Sequence, residues 1–440
     1  MEVHIQTRKL IKPSIPTPNH LRELKLSCFD QIAPPTYGSF VFFFPADSSI
    51  STSSKDERLE KLQNSLSEVL TCFYPLAGRL DQDRNVIDCH DQGAEYLEAQ
   101  VNANLNQFIL EELDSKLLNQ LNPFPNELAF TPTVLAVQIN KFDCGGLAIG
   151  ASLSHKFADG FTIFTFVNGW ATCCRIGVDR VKCLSFESGS LLPAIYTATD
   201  KIPVPDDNSE NLITRRFIFR EAAISALKAK TVALAGDSPH QSHQPSRVQL
   251  LIALIWKARI ALAQAKHGSL RNSLLIFPYN FRRKTAIPIP PNAGGNLFRN
   301  VTVRFTANES KLELQHLVNL VGNELRHAAE SFAKTEQAGD LFLSATSSLR
   351  KIHEELIKVN TDICLLTSHC KFPYYEADFG WGKPGWIAST HKPGEMVLLM
   401  DTKSDSGIEA WVTLEPSNMR QFEQDHDILA YSCKPAEYYS

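Results

Sequence analysis

A histidine stands four residues before an aspartate in the run Ser154-His155-Lys156-Phe157-Ala158-Asp159-Gly160. Histidine is the side chain whose ordinary pKa, ~6.5, lies nearest neutral pH, so a well-placed imidazole can take a proton from an alcohol or amine and pass it on. The spacing alone is a weak signal, because a chain with 13 histidines can produce it by accident. Two roles are open to Asp159, one helical turn further on. It can orient the imidazole, or it can turn away and fix the loop in a salt bridge. The bend required of the residues between them favours the second.

The surrounding elements place this run at a strand-to-helix junction. Residues 134–139 and 147–153 read as strands joined through Phe142-Asp143-Cys144-Gly145-Gly146, a hairpin connection. Residues 161–167 open a helix expected to reach about Cys174. A side chain at such a junction projects from a rigid base into a cleft. Upstream, Leu62, Leu66, Val69, Leu70 and Phe73 have helical spacing, and Tyr74-Pro75 ends that helix. Downstream, 215–219 and 274–277 read as strands, and Ser246 as the N-cap of a helix over 250–263. Residues 397–400 and 408–412 read as strands flanking a turn at Ser404-Asp405-Ser406-Gly407.

At 440 residues, 43% hydrophobic and 21% charged, the chain has a globular composition and is too long for one ordinary core. Residues 201–210 turn polar and proline-bearing. Two α/β domains are therefore expected, 1–200 and 215–440, with 201–214 as the linker. Residues 236–245 read as a mobile surface loop. A formal net charge of −4 supplies no basic field for nucleic acid. The first residues lack the apolar segment of a signal peptide, and no stretch reaches the ~20 apolar residues of a membrane helix. A cytoplasmic chain without membrane insertion is expected. The ten cysteines include no Cys-x-x-Cys pair and are expected to be reduced, mostly buried thiols.

Other chemistries lack their residues. Gly150-x-Ser152-x-Ser154 misses the last glycine of a nucleophile elbow, and there is no phosphate-binding glycine loop or His-Glu-x-x-His zinc signature. Cys89-His90 has no further ligands nearby in sequence, so no metal site is expected. Asp378-Phe379-Gly380 is not a kinase element, because the glycine-rich loop and His-Arg-Asp are absent.

Four segments, in order, resemble the plant BAHD acyltransferases, which transfer acyl groups from coenzyme A thioesters. They are Tyr74-Pro75-Leu76-Ala77-Gly78-Arg79 with Cys89-His90-Asp91-Gln92-Gly93; the junction itself, similar to the family's His-x-x-x-Asp-Gly; Asn280-Phe281-Arg282-Arg283-Lys284 with Gly295-Asn296; and Asp378-Phe379-Gly380-Trp381-Gly382-Lys383-Pro384. Together they span nearly the whole chain.

The resemblance implies two similar-sized α/β domains with mixed sheets, of the chloramphenicol acetyltransferase-like type, with a tunnel and the active site at their interface. His155 would be the general base, and Asp159 would point away from substrate toward an arginine, with Arg282 the candidate. Asp378, Gly380, Trp381 and Gly382 would hold the carboxy-terminal domain in shape. The family's Thr-Ser-Trp before that signature is Thr367-Ser368-His369 here, making Thr367 and His369 candidates for the oxyanion region. Arg282, Arg283, Lys284 and Arg299 are candidates for coenzyme A phosphates. Acetyl-CoA, or another acyl-CoA, would be a co-substrate beside a small-molecule alcohol, with no permanently bound cofactor, and the protein would be a monomer.

Residues 10–18 and 142–146 resemble the branch that acetylates alkaloid hydroxyls. Terpenoid alcohols and acylsugars are acceptors of related enzymes. Two readings of another class stand beside this one. An inactive acyl-CoA-binding or interaction protein would not need both His155 and Asp159. A peptide-condensing domain would carry a second histidine where Ser154 stands.

Overall fold

The structure, a computed structural model, describes residues 1–46, 53–105, 115–124, 131–195, 211–235, 244–307, 312–356, 358, 360–390 and 394–439. Most of the expected linker (201–210) and of the expected surface loop (236–243) lies outside these residues. The chain divides into two compact units. The first holds residues 1–204, 287–297 and 372–391; the second holds 205–286, 298–371 and 392–440.

This division departs from the expected one, which left everything after residue 214 in the second domain. Asp378, Gly380, Trp381 and Gly382 belong to the first unit. Strand pairing explains the difference, because Trp386–Ser389 is a short all-buried strand that pairs antiparallel with residues 40–43. Trp386 stacks on Phe43 with ring centroids 4.9 Å apart.

The first unit is built on a six-stranded mixed sheet. Its order is Val3–Ile11, Ala94–Val101, Leu135–Phe142, Leu147–Ser154, Tyr37–Phe44 and Trp386–Ser389. Tyr37–Phe44 and Leu147–Ser154 are buried along their whole length and pair in register from Tyr37↔Ser154 to Phe44↔Leu147. Continuous burial is why both read as unbroken apolar runs rather than alternating ones. Gly150 is required in this strand, because a Cβ there would come within 2.3 Å of the Leu121 carbonyl oxygen.

Helices Ser53–Cys72 and Gly160–Ile176 belong to the same unit. Trp170 is fully buried, and its indole N–H donates to Leu62 O and Ser65 Oγ at 3.2 and 3.1 Å. One expectation about the cysteines is corrected here. Cys72 and Cys183 form a disulfide, with Cα atoms 5.9 Å apart and the two residues 111 positions apart in sequence. No local pattern could have shown that approach.

The second unit carries its own six-stranded mixed sheet in the order Phe298–Phe305, Asn272–Asn280, Thr361–Ser368, Met396–Asp401, Ile408–Leu414 and Ile213–Phe219. Helix Arg247–His267 is its central helix. Ser246 caps it by accepting from Gln249 N at 3.2 Å, and Gly268 closes it in the left-handed conformation. By length and composition this helix could cross a membrane. Its Lys257 and Arg259, however, pair with Asp427 and Glu395 at 2.6 and 2.5 Å, and ten of its residues are buried, which marks a core helix.

Candidate active site

The strand Leu147–Ser154 hands its ladder on to His155, whose backbone N–H donates to Thr36 O at 2.8 Å. The backbone then bends into helix Gly160–Ile176, and Asp159 is that helix's N-cap. Its Oδ1 accepts from Thr162 N at 3.0 Å and lies 3.0 Å from Thr162 Oγ1, while Oδ2 accepts from Leu297 N at 3.2 Å. Asp159 is buried. Within the first unit the carboxylate therefore caps the helix and ties the junction to Leu297 through hydrogen bonds. Arg282, its expected partner, belongs to the second unit.

The imidazole is held from the segment 287–297. His155 Nδ1 lies 3.1 Å from Asn296 Oδ1, and Asn296 Nδ2 donates back to the His155 carbonyl at 2.7 Å. The second amide hydrogen of Asn296 goes to Asp30 Oδ1 at 2.9 Å. With both N–H groups committed to acceptors, the amide oxygen must face the ring, so Nδ1 carries the proton and Nε2 carries the lone pair. This is the tautomer a general base acting through Nε2 requires. Gly295 permits the approach. It lies at φ +111°, and a Cβ there would come within 3.0 Å of Ser188 Oγ.

Asp30 is buried in helix Cys28–Ile32, where it and Ser27 form a capping box. Burial pushes its carboxyl up to about 6, against hydrogen bonds from Ser27 and Asn296 that pull it down. Neither Asn296 nor Asp30 was given a role from the sequence. Gly295-Asn296 was visible only as part of a family pattern. The signal for Asp30 was Ser27-Cys28-Phe29-Asp30, a Ser-x-x-Asp capping pattern. The buried thiols are poor nucleophiles. Burial, then the charge of Asp30, pushes the Cys28 thiol up to about 12, and burial pushes Cys89 and Cys173 to about 12 as well.

The remaining expected residues divide between the units. Thr367 lies in strand Thr361–Ser368 opposite Leu398, and His369 follows it with its N–H donating to Leu399 O at 2.8 Å. Arg282 is buried, with its backbone N–H on Asn280 Oδ1 at 2.9 Å, and Arg283 takes a left-handed φ of 61°. The Lys284 ammonium sits 3.8 Å from the Tyr279 ring centroid, and Arg299 lies 4.5 Å from that of Phe332. Those two rings stack on each other at 5.5 Å. Burial lowers both cations from their ordinary values, with Lys371 adding to the effect at Lys284. Arg299, half-buried on an aromatic face, is partly desolvated already, which strengthens its pull on an arriving anion, while Lys284 stays exposed. Among the described residues, no group of three or more His, Cys, Asp or Glu side chains is placed to hold a metal.

Residues 378–382 form a tight carboxylate-centred turn. Asp378 Oδ1 accepts from Gly380 N and Gly382 N at 2.8 and 3.0 Å, and Oδ2 accepts from Arg175 at 3.2 Å. Gly380 and Gly382 have φ of 106° and 99°, where a side chain is strained. Phe379 packs edge-on to Trp170 at 5.0 Å and stacks with Trp381 at 5.7 Å. Asp378→Ala frees three donors at once and should lower stability by about 2 kcal/mol, read as a lower urea midpoint with unchanged slope. Gly380→Ala has room for its methyl, the nearest atoms being Arg175 at 3.8 Å, and should cost only the backbone strain of about 1 kcal/mol.

The Transferase family model matches residues 1–429. The chain is 36% identical over 442 residues to acetyl-CoA-benzylalcohol acetyltransferase of Clarkia breweri, covering 98% of this chain and 100% of that protein. It is 32% identical over 439 residues to limonoid 21-O-acetyltransferase of Melia azedarach, covering 98% of each. Vinorine synthase of Rauvolfia serpentina is 34% identical over 422 residues, 94% of each chain. The crystal structure of vinorine synthase superposes with a TM-score of 0.81 over 98% of each chain. The fold is thus the mixed-sheet one of the chloramphenicol acetyltransferase-like enzymes, and the chain belongs to the Transferase (BAHD) family of acyl-CoA-dependent O-acyltransferases.

Proposed function

We propose that this enzyme transfers an acetyl group from acetyl-CoA directly to a hydroxyl of a small specialised metabolite, with His155 as general base. The hydrogen bond between His155 Nδ1 and Asn296 Oδ1, at 3.1 Å, carries the reading, because it puts the lone pair on Nε2. An alcohol is a poor nucleophile at neutral pH. As its oxygen attacks the thioester carbonyl, the C–O bond forms and Nε2 takes the hydroxyl proton. Negative charge gathers on the carbonyl oxygen, and the oxyanion donors expected for it are Thr367 and His369. Collapse of the tetrahedral intermediate breaks the C–S bond, and the imidazolium returns its proton to the departing coenzyme A thiolate. No acyl-enzyme is needed, in keeping with the buried, protonated thiols of Cys28, Cys89 and Cys173.

Acetyl as the transferred group is supported by the names of the relatives above. For the acceptor, the segments 10–18 and 142–146 favour an alkaloid hydroxyl. The relative that is 36% identical acts on benzyl alcohol, which supports a second reading, a small aromatic alcohol. Incubation with acetyl-CoA and a panel of alkaloid, aromatic, terpenoid and sugar alcohols tests both, by free-thiol release and product mass. Acceptor-dependent thiol release with a product 42 Da heavier than one panel member is expected. Acetyl-CoA binding without thiol release on any acceptor would favour the binding-protein reading instead.

A further inference from the structure

The buried carboxylate of Asp30 has no part in the proton transfers just described, yet it stands one residue behind the group that holds the imidazole. We propose that Asp30 is a positioning residue for the transfer reaction, fixing through Asn296 the amide orientation that makes Nδ1 the protonated and Nε2 the basic nitrogen of His155. The proposal rests on the general-base reading of His155.

The geometry is a chain of single-choice hydrogen bonds. Ser27 N and Ser27 Oγ donate to Asp30 Oδ2 at 2.9 and 2.6 Å, and Asn296 N and Nδ2 donate to Oδ1 at 2.8 and 2.9 Å. A carboxylate accepts only, so the Asn296 edge that faces it must be the N–H₂ edge. Flipping the amide would press its oxygen against Asp30 Oδ1 and turn two donors toward His155 Nδ1. With the carboxylate in place the flip is closed off, and with it the wrong tautomer. A helix N-cap pair would need neither Asn296 hydrogen bond, so the capping box alone does not account for the site.

Among the described residues, few charged or titratable groups stand around Asp30. From the junction comes Lys156, whose ammonium donates to Gln31 O and Ala33 O at 2.7 and 3.0 Å and feels the Asp30 charge. Cys28, on Asp30's own helix, is a neutral thiol. The segment 295–297 and Ser188 contribute neutral groups only. The sign of the pH effect separates positioning from folding. A carboxyl that titrates near 6 when folded, against 3.8 ordinarily, binds its proton more readily in the folded chain between those values. Through this group, acidification from pH 7 toward 5 therefore strengthens folding while it releases the amide. Loss of turnover in that window reports the site rather than unfolding.

Asp30→Asn tests the proposal, with His155→Ala assayed beside it. In the folded Asp30→Asn protein, checked by circular dichroism, we expect kcat to fall about 10- to 100-fold with the KM for acetyl-CoA unchanged. The acid limb of the kcat profile should lose one of its two protons and become a single titration. An Asp30→Asn enzyme with normal kcat and an unaltered acid limb, beside an inactive His155→Ala, would overturn the proposal and leave the general base standing. An active His155→Ala would sink the general base first. Should Asp30→Asn fail to fold, Ser27→Ala removes one donor from the carboxylate. Its acid limb should then move up by about one pH unit, and an unmoved limb would overturn the proposal.

Discussion

His155→Ala should lower turnover by about 10²–10⁴, some 3–5 kcal/mol of barrier, while the chain stays folded. The strand Leu147–Ser154 is buried from end to end without the help of the imidazole, so truncation beyond Cβ removes chemistry and little packing. His155 is itself only half-buried. Asn296→Ala should cost less, about 10- to 100-fold, because the base survives and loses only its orientation. The double variant should be no slower than His155→Ala alone, since Asn296 acts on turnover through the imidazole. Single-turnover thiol release from acetyl-CoA with saturating acceptor measures all three. A His155→Ala enzyme within about threefold of the parent would remove the general base from the mechanism.

The strand-to-helix junction was legible because it is local. Two apolar runs, a hairpin turn and a helix start fall within about thirty residues, and each has its own signal in side-chain period or turn composition. Asp159 was read as fixing the loop through a salt bridge, and its place as the N-cap of Gly160–Ile176 was not read from the sequence. Asn296 and Asp30 were not legible, because the hydrogen bond between them spans 266 positions and nothing in either neighbourhood announces the other. The disulfide between Cys72 and Cys183 and the pairing of Trp386–Ser389 with residues 40–43 escaped in the same way. The second of these moved a whole motif. Asp378 was assigned to the carboxy-terminal domain and belongs to the first unit, because a four-residue strand carries too little pattern to show which sheet it joins.

Asp159→Ala should hurt both stability and turnover, and the coupling between the two losses is informative. The substitution strands Thr162 N, Thr162 Oγ1 and Leu297 N around a buried site, with an expected cost of about 3–5 kcal/mol. Leu297 follows Asn296 directly, so a loosened 295–297 segment also lets go of the His155 ring. Asp159→Asn keeps one carbonyl oxygen for the helix cap but turns an N–H₂ toward Leu297 N, where two donors meet. Its stability should fall between those of the parent and Asp159→Ala, and its turnover should fall in step. If Asp159 instead oriented the imidazole, Asp159→Asn would lose turnover at nearly unchanged stability. Urea unfolding and kcat measured on the same preparations decide between these outcomes. A stable but slow Asp159→Asn enzyme would return the aspartate to the chemistry.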